Sequence, residues 1–371
     1  MHTDTIELLA PAPGLAARLT VHRFGTPGRG PKAYIQAALH ADEVPALLVA
    51  QQLRPLLQAA EAEGRLRGEV LLVPAANPLG LGQQLLGQHQ GRFHLADGLN
   101  FNRFVPDLTE AVAAAVEGRL GDDAEANLRS VRRALAAAAA ALTASEPAAD
   151  LKRRLLQLAA DADIVLDLHC DSEAVMHLYA LTPQADTAAE LGALLGAQAV
   201  LLATESGDSP FDEACSATWL KLAQRLAPRP LPLGCFATTV ELRGQADTAH
   251  GQARADAEAL LAFLVRRGVL DGPAAPLPPP RCQPTPLAGS VPLAAPHAGV
   301  VVFHRQPGEL LEAGAHVADV VCPLGGQVTP VHSSTAGVLY ARIATRWAAP
   351  GARLAKVAGA VATRSGKLLS A

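Results

Sequence analysis

"AYIQAALHADEVPALLVA", residues 33–50, passes from a β-rich apolar segment straight into a helical one, with His40 and Glu43 at the join. Residues 33–39 form a near-continuous apolar run rather than an alternating one, the pattern of a strand buried on both faces. From Val44 the period changes. Leu47, Leu48, Leu56 and Leu57 give an apolar stripe to a helix predicted from Val44 to Ala60, with Pro45 accommodated in its first turn. A doubly buried strand followed by an amphipathic helix is the building unit of an α/β protein.

The same signature recurs in "EVLLVPAAN" (69–77), "DIVLDLH" (163–169), "VMHLYAL" (175–181), "QAVLLAT" (198–204) and "CFATTVEL" (235–242). Together these runs predict a sheet sandwiched by helices. Residues 109–160, rich in Ala, Leu and Arg, read as a helical insertion of two or three helices broken near "GRLGDD" (118–123) and "SEP" (145–147). A last helix spans 250–268. Beyond it "DGPAAPLPPPRCQPTPLAG" (271–289) carries too much proline for a helix or a central strand. This predicts a linker over 272–292 between a large domain, residues 1–271, and a small one, residues 293–371. In the small domain "AGVVVFHRQPGELLEAG" (298–314) loosely echoes "AGVLYARIATRWAAPG" (336–351), which predicts an all-β barrel of two similar hairpin units. It resembles the barrel of biotinyl and lipoyl carriers. The hairpin "VHSSTAGV" (331–338) has no lysine to modify, so a structural or pocket-covering role is expected instead.

Bulk properties narrow the function. With 371 residues, half of them hydrophobic, the chain can hold one large core and a second smaller one. A formal net charge of −4 without long runs of one sign argues against a nucleic-acid or membrane partner and for a small-molecule substrate. No uninterrupted apolar stretch reaches the length of a membrane span, and the N-terminus lacks the pattern of a secretory signal, so a cytoplasmic protein is expected. The five cysteines are scattered without a CxxC pair, against both a disulfide framework and a thiolate zinc site. A homo-oligomer is compatible with all of this.

His40 and Glu43 pair the two side chains that hold divalent metals, although capping and helix-dipole roles explain such a pair equally well. His169 ends another apolar strand, and open α/β sheets place ligands at the carboxyl ends of their strands. Two imidazoles and one carboxylate form the catalytic zinc arrangement, which leaves a position for water and lowers its pKa to about 7. Asp167 is either an imidazole-orienting carboxylate or a partner for strand-end amides. Glu241 is either a general base or the partner of Arg243, since a carboxylate in a buried strand needs a task or a counter-charge. Arg92, Asn102 and Arg103 lie in "GRFHLADGLNFNRFVP" (91–106), where guanidinium groups could anchor a carboxylate or stabilise an oxyanion. Cys170 reads as a buried small hydrophobe rather than a nucleophile. His177, Tyr179 and Glu213 lie near these motifs; of the three, only His177 is taken as a pocket residue.

Taken in order, "LHADE", "NFNRF", "LDLHCD" and "TVELRG" resemble the motif series of the succinylglutamate desuccinylase/aspartoacylase family, over roughly residues 30–270. The resemblance implies a zinc carboxypeptidase-like fold with a mixed, mostly parallel sheet and one Zn2+ per chain. It assigns His40, Glu43 and His169 as zinc ligands and Glu241 as the base that activates water. It assigns Asn102 and Arg103 to the substrate carboxylate and Arg92 to the scissile carbonyl. The family's first motif has glycines where Ala38 and Ala41 stand, so an altered turn is expected there.

The expected function is a zinc-dependent hydrolase that removes an acyl group from an N-acyl amino acid or a similar carboxylate-bearing amide. A metallocarboxypeptidase acting on short peptides uses the same chemistry. A non-catalytic metal-dependent carboxylate binder is the rival of another class, and Glu241 speaks against it because pure binding needs no base.

Overall fold

The computed structural model describes residues 1–369. Each apolar run becomes a strand, and two further strands precede them. The main sheet contains β1 (His2–Glu7), β2 (Arg18–Gly25), β3 (Lys32–Ala37), β4 (Glu69–Val73), β5 (Ile164–Asp171), β6 (His177–Leu181), β7 (Ala199–Ala203), β8 (Phe236–Gly244) and the two-residue β9 (Thr285–Pro286). Their order is β1-β2-β4-β3-β5-β8-β6-β7-β9. Pairing is parallel through β4-β3-β5-β8 and through β6-β7-β9, and antiparallel at β1-β2-β4 and between β8 and β6. The sheet is therefore mixed and mostly parallel. β1 and β2 escape a search for apolar runs because they lie at the sheet's edge, where polar residues alternate with buried ones.

Helices cover both faces. On one face α1 (Pro45–Ala62), α5 (Ala185–Leu195) and α7 (His250–Arg266) pack around Ile35, Leu72, Leu166 and Val240. On the other, α2 (Thr109–Val116), α3 (Ala124–Ala141), α4 (Pro147–Ala159) and α6 (Phe211–Arg225) enclose Tyr34, Leu71, Val165 and Ala237. The breaks in the insertion have local causes. Gly118 takes a left-handed φ of 68°, Asp123 caps α3 by accepting from the Glu125 and Ala126 N–H groups, and Pro147 opens α4. No helix of the described residues is long and apolar enough to cross a membrane.

The C-terminal unit has two antiparallel sheets formed by β10 (Ser290–Ala294), β11 (Gly299–Phe303), β12 (Leu310–Leu311), β13 (His316–Val321), β14 (Val328–His332), β15 (Gly337–Arg342), β16 (Trp347–Ala348) and β17 (Arg353–Ala358). One runs β10-β17-β15-β12, the other β14-β13-β11-β16, and Leu293, Val301, Val317, Val320, Leu339, Leu354 and Val357 fill the space between them. The irregular linker is shorter than the proline content implies. Pro286 sits in β9 against Leu202, a position open to proline because an edge strand leaves one side unpaired.

The two units share a seam. Glu173 and Ala174 add a short strand to β15, and the Glu173 carboxylate accepts from Arg342 Nε at 2.6 Å and from Arg346 Nη2 at 2.7 Å. Val175, Tyr179, Leu201, Leu287 and Tyr340 form an apolar patch across the same boundary. Lys356 of β17 pairs with Asp171 at the end of β5, both about one-fifth exposed. Burial opposes charge on each, yet each holds the other ionised: the carboxyl lies below its ordinary range and the ammonium above it. Lys356→Met strips Asp171 of its counter-charge and should destabilise the fold by about 2–3 kcal/mol. In denaturant titrations the double variant Asp171→Asn/Lys356→Met should lose less than the sum of its two singles; additive losses would mean the pair is not coupled.

Candidate metal centre

Parallel β3, β5 and β8 end side by side, and their carboxyl ends bring His40, His169 and Glu241 to one edge of the sheet, with His169 and Glu241 as register partners. The turn after β3 is made without glycine. Ala38 takes a left-handed φ of 57° at a cost of about 1–2 kcal/mol, and its N–H is held by Leu168 O at 3.2 Å. Glu43, just before α1, then places Oε1 2.9 Å from His40 Nδ1 and Oε2 2.7 Å from His169 Nδ1. All three side chains are buried, with candidate ligand atoms within 4.8 Å of one another.

The remote ring nitrogens determine what the near ones can do. His40 Nε2 lies 2.8 Å from Asn100 Oδ1, an acceptor, so it donates; His169 Nε2 lies 3.0 Å from Asp167 Oδ2 and 3.4 Å from Asn102 Nδ2. Asp167 in turn accepts from Gln36 Nε2 at 2.8 Å, and Gln36 Oε1 accepts from the Tyr34 hydroxyl at 2.7 Å. Asp167 Oδ1 thus serves Gln36 while Oδ2 faces the His169 ring. Both Nδ1 atoms are thereby directed at the Glu43 carboxylate, and a cation that displaces the proton between His169 and Glu43 would be held by two imidazoles and a carboxylate, a donor set that fits zinc.

The two rings differ: burial opposes charge on His169, but Asp167 and then Glu43 outweigh it and hold that ring well above its ordinary range. Burial and then the Arg92 charge lower His40 to about 4, so its ring is neutral. Burial opposes ionisation of Glu43, but His40 and His169 outweigh it and hold the carboxyl well below its ordinary range. Arg92 Nη1 reaches the same spot, 3.2 Å from His40 Nδ1 and 3.1 Å from Glu43 Oε1. Its loop docks closely: Ala41 N–H donates to Gly91 O at 3.0 Å, and a Cβ on Gly91 would lie 2.0 Å from Asp42 N.

These residues line a cavity of about 380 Å³ together with Glu241, Asn102, Arg103, Tyr179, Asp212 and Glu213. Glu241 Oε2 has no hydrogen-bond partner among the described residues. The ion pair with Arg243 does not form, because Arg243 binds Asp256. Burial, followed by the Glu43 charge, raises Glu241 to about 8. Asn102 Oδ1 accepts from Phe211 N–H at 2.8 Å, and its Nδ2 lies 3.4 Å from His169 Nε2. Arg103 Nη1 donates to Asn102 O at 2.6 Å. Lys152 of α4 fastens this loop from behind, donating to Asn100 O at 3.1 Å and Arg103 O at 2.6 Å. Nothing in the sequence around Lys152 marks that task.

Two expectations change. His177 does not line the cavity. Register places it beside Glu241 on β6, but the Tyr340 ring of the C-terminal unit lies 4.9 Å from it and its Nδ1 donates to Val175 O at 2.8 Å. Tyr179 and Glu213, which packing or solvation was expected to occupy, do line it, and Glu213 accepts from Ser206 N–H at 2.7 Å. Cys170 has its thiol pKa pushed up by burial, which suits a hydrophobe and not a nucleophile. The opposite wall comes from the C-terminal unit, including Tyr340, Arg353, Lys356 and Arg364. Among the described residues the Arg353 side chain makes no hydrogen bond or ion pair.

Residues 29–266 match the family model of the succinylglutamate desuccinylase/aspartoacylase catalytic domain. Solved structures resemble the whole chain. A succinylglutamate desuccinylase/aspartoacylase family protein from Shewanella amazonensis SB2B is 28% identical, with a TM-score of 0.85, covering 96% of this chain and 98% of that one. A protein assigned to the same group from Shewanella frigidimarina NCIMB 400 is 26% identical, with a TM-score of 0.85 and coverage of 96% and 97%. The ectoine utilization protein of Ruegeria pomeroyi, solved with product bound, shares the fold at 19% identity, a TM-score of 0.66 and coverage of 96% and 94%. No curated protein matches the sequence. If Asp167 orients His169 for a metal, Asp167→Asn should weaken Zn2+ binding about 10–100-fold. Competition against a chromophoric chelator measures this, and wild-type affinity in the variant would contradict that role.

Proposed function

The chain belongs to the succinylglutamate desuccinylase/aspartoacylase family, and from that premise we propose a zinc-dependent amide hydrolase that removes the acyl group from an N-acyl amino acid. The observation that carries the reading is a half-buried Glu241, its buried Oε2 without a hydrogen-bond partner among the described residues, lining the same cavity as the His40–Glu43–His169 donor set. A binding protein has no use for such a group, whereas hydrolysis needs a base that later acts as an acid. His40 Nδ1, His169 Nδ1 and the Glu43 carboxylate would hold the zinc, which supplies Lewis acidity and lowers the pKa of water.

The chain's own residues do the rest. Glu241 takes a proton from the attacking water and returns it to the leaving amine. Arg92, beside the donor set, is placed to draw electron density from the scissile carbonyl oxygen. Asn102 Nδ2 and Arg103 hold the carboxylate of the amino-acid half. Arg353, on the opposite wall and with no side-chain partner among the described residues, favours an anionic group on the substrate. The cavity volume suits a small acylated amino acid. Five free cysteines fit a reducing compartment, which supports a cytoplasmic setting.

Glu241→Gln should lower kcat about 10²–10⁴-fold while Zn2+ stays bound; undiminished turnover in a metal-replete sample would overturn the mechanism. A panel of N-acyl amino acids and dipeptides separates deacylase from peptidase, and cleavage of dipeptides alone would select the latter.

A base must be deprotonated to act, so kcat/KM should rise with pH through the Glu241 titration. The protein sets that carboxyl near 8, and a bound dication attracts its ionised form, so the acidic limb should lie below that value. The limb should vanish in Glu241→Gln. Arg353→Ala should raise KM for an anionic substrate about tenfold with little change in kcat, as expected when a charge-assisted hydrogen bond common to the ground and transition states is lost.

A further inference from the structure

The four-stranded C-terminal sheet contributes no residue to the catalytic cavity, yet it carries a row of imidazoles. His304 follows β11, His316 opens β13 and His332 ends β14, three neighbouring strands. Register sets His316 opposite His332, and Asp319 opposite Val302, two residues before His304. The rings consequently crowd together. The centroids of His304 and His316 are 4.4 Å apart, and those of His316 and His332 are 5.1 Å apart. Asp319 lies between the first two, with Oδ2 2.8 Å from His304 Nε2 and Oδ1 2.8 Å from His316 Nε2. His332 donates its Nδ1–H to Gly314 O at 2.9 Å, so its Nε2 bears a lone pair.

We propose that His304, His316 and Asp319, with His332 beside them, form a second metal site, specific for transition-metal dications and separate from the catalytic centre. Two imidazole nitrogens and one carboxylate oxygen suit Zn2+, Ni2+, Co2+ or Cu2+, whereas Mg2+ and Ca2+ call for shells of oxygen. The three candidate ligand atoms already lie within 4.8 Å of one another. Tetrahedral coordination at bond lengths of about 2.0–2.1 Å separates ligand atoms by about 3.3 Å, so small side-chain rotations complete the shell. Coordination through Nε2 moves the proton of each neutral ring to Nδ1. On His304 and His316 that atom has no partner among the described residues, and both side chains are about 40% exposed, so water receives the new N–H. Crowded rings that would repel one another as imidazolium ions are instead neutral ligands of one cation. Bound there, the ion ties β11 to β13 above the small core of the C-terminal unit.

The test uses the full chain with the catalytic donors removed by His40→Ala/His169→Ala, so its result does not depend on the proposed activity. Chelator-stripped protein is dialysed against micromolar Zn2+ and bound metal is measured by mass spectrometry, alongside thermal melts with and without the ion. One zinc per chain and a zinc-dependent rise in melting temperature are expected. Both should disappear when either His304→Ala/His316→Ala or the isosteric Asp319→Asn is added. Less than stoichiometric zinc in the parent, or zinc retained after both sets of changes, would overturn the assignment. Mg2+ at the same concentration should give no shift.

Discussion

The structure turns on the Glu43 carboxylate, which stands between two imidazoles whose other nitrogens are already committed elsewhere. Three buried candidate ligands meet there, the carboxylate oxygens 2.9 Å and 2.7 Å from the two Nδ1 atoms, close enough for one cation to be held by all three. The architecture around it follows from this requirement. Parallel β3 and β5 end together so that two histidines distant in sequence become neighbours. The strained turn at Ala38 brings the chain from β3 into α1 within a few residues, and the loop at Gly91 closes against that turn and carries Arg92 in. Each feature is unfavourable or unusual alone, and each is accounted for by the convergence it serves.

Around this centre the tasks divide by position. Groups that touch the donor set come from strand ends and the loops docked on them, where neighbouring backbone fixes them to a fraction of an ångström. Groups suited to recognition come from farther out, on the 100–103 loop and on the C-terminal unit. The polar seam of Glu173, Arg342, Arg346, Asp171 and Lys356 makes that unit a fixed wall of the cavity. A wall built this way can vary its cationic face while leaving the ligands undisturbed, since Arg353 stands on a different unit from them.

Much of this could be read from the sequence, for one physical reason. A histidine or glutamate at the end of an apolar strand is expensive unless it has a task, so His40, Glu43, His169 and Glu241 stood out against their surroundings. Arg353 and Lys152 did not, because long cationic side chains are ordinary on surfaces and nothing local distinguishes one that faces a cavity. His177 was misjudged although its register is adjacent to Glu241: the Tyr340 ring that covers it comes from the other end of the chain. β1 and β2 were missed because edge strands alternate with solvent, and the linker was drawn too long because proline is allowed at an edge. Local pattern reveals burial and cost; contacts between distant segments lie beyond it.

The two clusters of possible metal ligands show how burial alters what the same side chains can do. At the strand-end cluster Asn100 holds His40, Asp167 lies beside His169, Arg92 stands beside the carboxylate, and the three side chains are buried, so the donors are preorganised for the proposed cation. On the C-terminal sheet the Nδ1 atoms of His304 and His316 have no partner among the described residues, and the rings are positioned by strand register and by their contacts with Asp319. An exposed site of that kind must reorganise on binding and compete with water. It therefore holds its ion more loosely, responds to the metal available in solution, and can act on the stability of its own unit without disturbing chemistry on the other side of the molecule.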